Sequence, residues 1–145
     1  RLFLADTANK RKDYAVAATQ YRALLAVQPN NPAVLNNLAW SLGQMKDPKA
    51  VTYAEQANKL EPNQPAIMDT LGMLLIDQGN AERGLDLLAK ALQLAPEAHA
   101  VRLNYANALL KAGKKTEAKQ ELETLAKLGD KFPAQAEVAT LLKGL

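Results

Sequence analysis

The sequence predicts an all-α protein, a right-handed superhelix (α-solenoid) of about four helical hairpins plus a C-terminal capping helix. Three observations carry that expectation. Prolines recur at nearly constant spacing, with Pro29, Pro62 and Pro96 lying 33 and 34 residues apart, and a period of this size marks a repeat architecture. Between the prolines, apolar residues step by three and four, as amphipathic helices require. When the chain is aligned on its prolines, small and large apolar residues fall into separate columns.

The first unit, 1–31, begins inside its own first helix. Its Leu2, Phe3 and Leu4 would normally pack on an earlier hairpin, so further repeats are expected to precede it. The stretch VQPNNP (27–32) then turns the chain. Pro32 suits a first helical position, where the missing N–H is not needed, and Asn30 or Asn31 is placed to cap the helix. The second unit, 32–64, has a hairpin turn one residue short, near Lys46-Asp47-Pro48. LEPNQP (60–65) repeats the inter-helix turn, with Asn63 as the expected cap and Pro65 opening the third unit, 65–98. There Leu71, Leu74 and Leu75, then Leu85, Leu88 and Leu92, mark two helices separated by Gly79-Asn80. The fourth unit, 99–132, follows LAPEAH and places Asp130 where another proline would stand. Phe132-Pro133 restarts the chain into a cap helix, 133–145. Val138, Leu141, Leu142 and Leu145 share its apolar face, with Glu137 and Lys143 off it. A terminal repeat needs such a solvating cap.

The columns explain why hairpins would stack. Ala5, Ala39, Gly72 and Ala106 share one column in the first helices; Ala17, Ala50, Gly84 and Ala118 share another in the second. Small side chains there let helices approach closely. Large apolar columns alternate with them: Leu4, Leu38, Leu71, Tyr105; Ala8, Leu42, Leu75, Leu109; and Tyr21, Ala54, Leu88, Leu122. A lone helix pair cannot bury its apolar face, whereas a stack can.

Composition narrows the function classes. At 145 residues and 48% hydrophobic content, one domain with a substantial core is expected. Apolar runs such as GMLLI (72–76) fall far short of the roughly 20 residues of a membrane span, so no direct membrane insertion is expected. The absence of Cys removes disulfides, thiol catalysis and zinc–thiolate sites and leaves the compartment open. The chain starts without Met or a signal-like stretch, which reads as a fragment whose targeting signal lies elsewhere. The net charge of +3 is uneven. Residues 1–60 carry 8 Lys/Arg against 4 Asp/Glu, residues 61–97 carry 2 against 6, and residues 98–145 carry 8 against 5. With no continuous basic strip and no base-reading pair in each repeat, a nucleic-acid partner is not expected.

The chemistry is sparse. The one histidine, His99, reads as a solvated turn residue after Pro96. No GxGxxG, P-loop or HExxH motif occurs, and Asp69/Asp77 read as a solvated helix face. No catalytic residue, cofactor or metal site is expected, and the chain is not expected to be an enzyme. The basic clusters Lys10-Arg11-Lys12 and Lys111…Lys114-Lys115 read as solvated hairpin turns. Their second reading is a contact with an acidic partner or an anionic polysaccharide.

With the columns in place, the chain resembles the tetratricopeptide repeat (TPR), a family of 34-residue helix–turn–helix units. The third unit carries the likeness best through Met68, Leu71, Gly72, Leu75, Gly84, Leu88, Ala91 and Pro96. Departures are the short second turn, Arg102 at a usually apolar place, and Asp130. The resemblance implies a non-catalytic interaction scaffold whose first helices line a concave groove, binding a protein or peptide segment. The groove positions it implies, by column, are Asn36, Asn37 and Trp40 in the second unit, Asp69, Thr70 and Met73 in the third, and Asn104 and Asn107 in the fourth. Asp6, Asn9, Lys10, Gln44, Asp77 and Lys111 extend them. Asn37, Thr70 and Asn104 share a column and are expected to hydrogen-bond an extended backbone, although such amides can equally solvate an empty face. Trp40, the only Trp, is either a binding anchor or a ring filling space beside Gly43 and Met73. The second reading is preferred here. The family's clamp for acidic peptide tails is not matched, because Leu2, Asp6 and Leu103 stand where Lys and Arg are needed.

Particular phrases narrow the likeness further. LNNLAW (35–40), DPKAVTYAEQA (47–57), DTLGMLL (69–75) and KFPAQAEVATLLKGL (131–145) resemble the C-terminal repeats of the TPR lipoproteins of the exosortase/PEP-CTERM exopolysaccharide system. This implies a bacterial cell envelope, a periplasm-exposed surface, a lipid anchor upstream, and a role in polysaccharide assembly or protein sorting. A cytoplasmic location is the alternative. So is a mainly structural spacer or self-association element; a homo-oligomer is left open, since a first unit cut at Leu2 and Phe3 can dimerise artificially.

Overall fold

The computed structural model describes all residues, Arg1–Leu145. It contains nine α-helices and no strand. The first hairpin is α1 (Leu2–Lys10) with α2 (Tyr14–Val27), and the second is α3 (Pro32–Gln44) with α4 (Lys49–Leu60). The third is α5 (Pro65–Asp77) with α6 (Ala81–Leu94), and the fourth is α7 (His99–Lys111) with α8 (Lys115–Ala126). A 3-10 turn, Gly129–Lys131, leads to the cap helix α9 (Gln135–Lys143). Each helix packs on the next, and α3 touches α5 and α5 touches α7 across the stack.

Most of the expected column residues are core, although Leu4 is exposed and Tyr105 is only partly buried. Ala5, Ala39 and Ala106 are fully buried, as are Ala17 and Ala118, and Tyr21, Ala54, Leu88 and Leu122 line up beneath them. Apolar clusters straddle hairpin boundaries: Met68 and Leu88 of the third hairpin join Val101 and Leu109 of the fourth. Tyr21 of the first joins Val34 and Leu38 of the second. Stability therefore resides between units as much as within them. At the first hairpin the outer face stays open, with Phe3 79% and Leu4 57% exposed.

The third hairpin is the tightest. A Cβ on Gly84 would lie 2.6 Å from Ile76 Cγ1 and 2.7 Å from the Gly72 carbonyl oxygen. A Cβ on Gly72 would lie 3.0 Å from the Gly84 carbonyl oxygen. The other hairpins hold Ala at both positions.

All four hairpin turns close in one way. The amides of Asp13, Asp47, Asn80 and Lys114 donate to the carbonyls of Ala8, Leu42, Leu75 and Leu109 at 2.8–2.9 Å. The residue before each amide adopts the left-handed conformation: Lys12 (φ 63°), Lys46 (φ 60°), Gly79 (φ 88°) and Gly113 (φ 78°). This is a Schellman-type end, for which glycine is the natural occupant. The first two turns accept a lysine there at a steric cost.

Some local expectations need correction. Asn31 caps α3, accepting from the Val34 amide at 3.2 Å. Asn63 does not cap α5; Gln64 holds that position without a side-chain bond. His99 is not a solvated turn residue but the first residue of α7. Its ring packs edge-on to Phe132 at 6.2 Å, and its Nδ1 is buried without a partner. The chain tightens into a 3-10 turn after α8 and so brings buried Phe132 back under the helix start. Leu145 lies beyond α9 and is exposed, leaving Val138 with Leu141 and Leu142 to seal the end. Arg102 is accommodated at its apolar column by pairing with Glu121 and donating to the Pro96 carbonyl.

Two stability outcomes follow from this packing. Gly84→Ala is expected to destabilise by about 1–3 kcal/mol, because the added methyl meets a backbone carbonyl that cannot move aside. Lys46→Gly is expected to stabilise by about 0.5–1 kcal/mol, since relief of the left-handed strain exceeds glycine's entropic cost. Chemical-denaturation midpoints check both, and a reversed order would refute the packing of these columns and turns.

Candidate functional site

The first helices α1, α3, α5 and α7 form one continuous face, and the sequence-predicted groove residues lie along it. Two depressions divide its N-terminal half. One, of about 440 Å³, is bounded by Asp6, Asn9, Lys10, Tyr21, Asn37 and Trp40. The other, narrower at about 110 Å³, is bounded by Trp40, Gln44, Thr70, Met73, Asp77 and Asn104, among others. Trp40 is the wall they share. A third depression at the groove edge, of about 350 Å³, is lined by Asn31, Asn36, Asn37, Glu61 and Gln64 together with apolar side chains.

Trp40 does not fill the space beside Gly43. That place is taken by Leu74, whose Cδ2 lies 2.6 Å from where a Gly43 Cβ would be. The indole is instead 42% exposed over the groove. Helical geometry is the reason: Trp40 sits between the columns of Ala39 and Ser41 that turn inward, and its ring is left on the open side.

The amide ladder is also partly corrected. Thr70 is buried, and its hydroxyl donates to the Ala66 carbonyl at 3.1 Å within its own helix. It forms groove floor and does not reach outward for a bound backbone. Asn104 reaches back to α5 and donates to Asp69 Oδ1 and Oδ2 at 3.1 and 3.2 Å. Asn107 donates to Glu137 of the cap helix at 3.3 Å, and Lys111 to Asp77 at 3.0 Å. Polar groove residues of the third and fourth hairpins thus brace neighbouring first helices. Burial pushes the Asp69 carboxyl above its ordinary range, and the Asn104 hydrogen bonds oppose that rise.

In the first two hairpins the arrangement differs. Ser41, fully buried, donates to Asn9 Oδ1 at 3.0 Å and the Asn37 carbonyl at 3.1 Å. The Tyr21 hydroxyl donates to Asp6, and burial followed by the Asp6 carboxylate pushes its pKa far up. Sequence reading missed this Asp6–Tyr21 and Asn9–Ser41 network. The available signal was Ser41 itself, a hydroxyl on the face shared by Leu38 and Leu42, which needs a partner when buried. The side chains of Asn36 and Asn37 make no hydrogen bond within the protein, and Asn36 Oδ1 is buried without a partner. Asn36, Asn37, Trp40 and the half-buried Met73 are the groove residues with unspent capacity. They offer amide donors and acceptors, an aromatic face and a thioether. No helix of the chain is long and apolar enough to cross a membrane.

Comparison with known proteins agrees with this architecture. One tetratricopeptide repeat model matches residues 4–65 and another matches residues 75–143. A TPR repeat-containing protein of Pseudomonas aeruginosa is 32% identical over 96 residues, covering 62% of this chain and 16% of its own length. This chain therefore spans about a sixth of that relative. A thermophilic TPR protein of Thermus thermophilus superposes with a TM-score of 0.86 at 18% identity, covering 97% of this chain and 79% of that one. YrrB, described as a TPR protein with an unusual peptide-binding site, superposes with a TM-score of 0.77 at 18% identity, covering 97% and 71%. Two repeat models leave outside them only residues 1–3, 66–74 and 144–145, and those gaps fall within helices and an end that keep the same column pattern. The chain belongs to the tetratricopeptide repeat family.

Proposed function

We propose that this segment is a non-catalytic scaffold whose concave groove binds an extended segment of a partner protein, centred on Trp40. Repeats of this family generally mediate protein–protein interaction, and the observation that supports a site here is the half-exposed indole between two depressions. Asn36 and Asn37 supply backbone-type hydrogen bonds on one side and Met73 a soft apolar contact on the other. Asp69, Thr70, Asn104 and Asn107 shape the groove from the C-terminal side, the first three as floor and wall and Asn107 as the link to the cap. The phrase-level likeness described above supports a setting in the bacterial envelope, in exopolysaccharide assembly or PEP-CTERM protein sorting, with the groove exposed to the periplasm. A second reading, a mainly structural spacer, draws support from the braces Asp69–Asn104, Asp77–Lys111 and Asn107–Glu137, which stiffen the stack.

A peptide array probed with the folded chain, followed by titration of the best peptides against Trp40 fluorescence, distinguishes the two. Binding is expected to shift the indole emission and to depend weakly on salt, because the groove carries little net charge. Trp40→Ala with Asn37→Ala is expected to weaken it by about 30-fold or more, the scale of an aromatic hot spot. Lys114→Glu with Lys115→Glu is expected to leave it within about twofold. If the lysine variant loses the peptide and the groove variant keeps it, the binding surface is the basic turn edge. No binding at all favours the spacer.

Asp69 supplies a pH prediction. Its raised folded-state pKa means that the folded chain holds the proton more readily than the unfolded one. Stability therefore falls as pH rises from the ordinary carboxylate value, about 4, through the higher folded value. Asp69→Asn keeps an acceptor for Asn104 and is expected to stabilise the fold at pH 7, with the gain vanishing below about pH 4. Denaturation midpoints at the two pH values check this; a gain that grows toward acid would contradict it.

A further inference from the structure

The largest cavity in the molecule is not in the concave groove. It lies on the face of the second helices, between α2 and α4, with a volume of about 870 Å³. Leu25 and Ala26 of α2 form one wall and Tyr53 and Leu60 of α4 the other, with Leu35 beneath. Its polar positions include Arg22 on the α2 side and Lys59 on the α4 side. Neither cation takes part in an ion pair within the chain.

In the next interval along the stack, between α4 and α6, Arg83 makes a two-pronged bond to Glu55 at 2.6 and 2.8 Å. One repeat earlier, the positions equivalent to Glu55 and Arg83 are Arg22 and Lys49. Two cations stand where the other interval has an ion pair, so no clasp of this kind joins α2 to α4. Leu60 is 44% exposed at the edge of this cavity.

We propose that this groove is a second docking site, distinct from the concave face, for an amphipathic helix of a partner protein with acidic residues flanking its apolar stripe. Two helices running side by side present a furrow into which a third helix packs ridge-into-groove. Its apolar stripe covers Leu25, Tyr53 and Leu60. Because the unpaired cations stand on opposite walls, acids are required on both sides of the stripe. A basic or neutral helix would leave Arg22 and Lys59 without partners beneath it.

The test uses the whole chain, isotopically labelled, and two synthetic helical peptides with the same leucine stripe, one flanked by Glu and the other by Lys. The Glu peptide is expected to perturb the resonances of Leu25, Tyr53 and Leu60 while leaving Trp40 unmoved. It should bind about five- to tenfold more tightly than the Lys peptide, the scale of two partly exposed ion pairs. In Arg22→Glu with Lys59→Glu that preference is expected to invert. Ala26→Trp, which fills the exposed furrow, is expected to abolish binding with an unchanged circular dichroism spectrum. Trp40→Ala should have no effect, which keeps failure here separate from failure of the concave site. Equal binding of both peptides, no binding, shifts centred on Trp40, or self-association that Ala26→Trp removes would each overturn the proposal; the last would give the face to a second copy of the chain.

Discussion

A pair of amphipathic helices of about a dozen residues each has more apolar surface than the two can hide from water by themselves. The remainder of this structure depends on how closely their backbones approach, because that distance sets where the next pair can sit. Alanine at Ala39 and Ala50, or at Ala106 and Ala118, fixes the approach at one methyl, while Gly72 and Gly84 remove even that. Once the pairs are formed at these spacings, Tyr21, Leu88 and Leu122 reach the neighbouring hairpin and disappear from solvent. The core is consequently a chain of small clusters, each of which owes its burial to two units.

That arrangement leaves two long surfaces, and the polar residues divide them unequally. Along the concave side the C-terminal half spends its amides and charges on neighbouring first helices, from Asp69 through Asn104 and from Asn107 to the cap. The N-terminal half keeps Asn36, Asn37 and Trp40 free of internal partners. On the opposite side, an ion pair between Glu55 and Arg83 joins α4 to α6, whereas Arg22 and Lys59 beside the α2–α4 cavity have no ionic partner. Both open regions fall over the first two hairpins.

Fold class was legible in the sequence because it is written locally and repeatedly: the prolines recur in three units, and the three-and-four stepping and the small-residue columns in all four. The turn prolines Pro32 and Pro65 open their helices as read. Side-chain pairing was less legible because it joins residues about one repeat apart on different helices. Nothing within DTLGMLL says that Asp69 meets Asn104. Trp40 was read as filler because a ring beside a glycine fits that description equally well, and only the position of Leu74 decides between them. His99 looked like a turn residue because the return of Phe132 depends on a 3-10 turn more than 30 residues later. The cavity between α2 and α4 was invisible for a related reason. Its walls, Leu25 with Ala26 and Tyr53 with Leu60, lie on helices one repeat apart.

The bond between Asn104 and Asp69 has a consequence for how such a chain can be rearranged. Repeat arrays are commonly treated as interchangeable modules, yet Asp69 is half-buried on the third hairpin and its donors come from the fourth. Asn107 likewise finds its acceptor only on the cap. If the third hairpin were duplicated in place, the backbone would still stack, but Asp69 of the first copy would meet Thr70, whose hydroxyl is engaged within its own helix, in place of the Asn104 amide. Hairpin order is therefore specified by side chains as well as by connectivity, and growth of the array is permitted at some junctions and penalised at others.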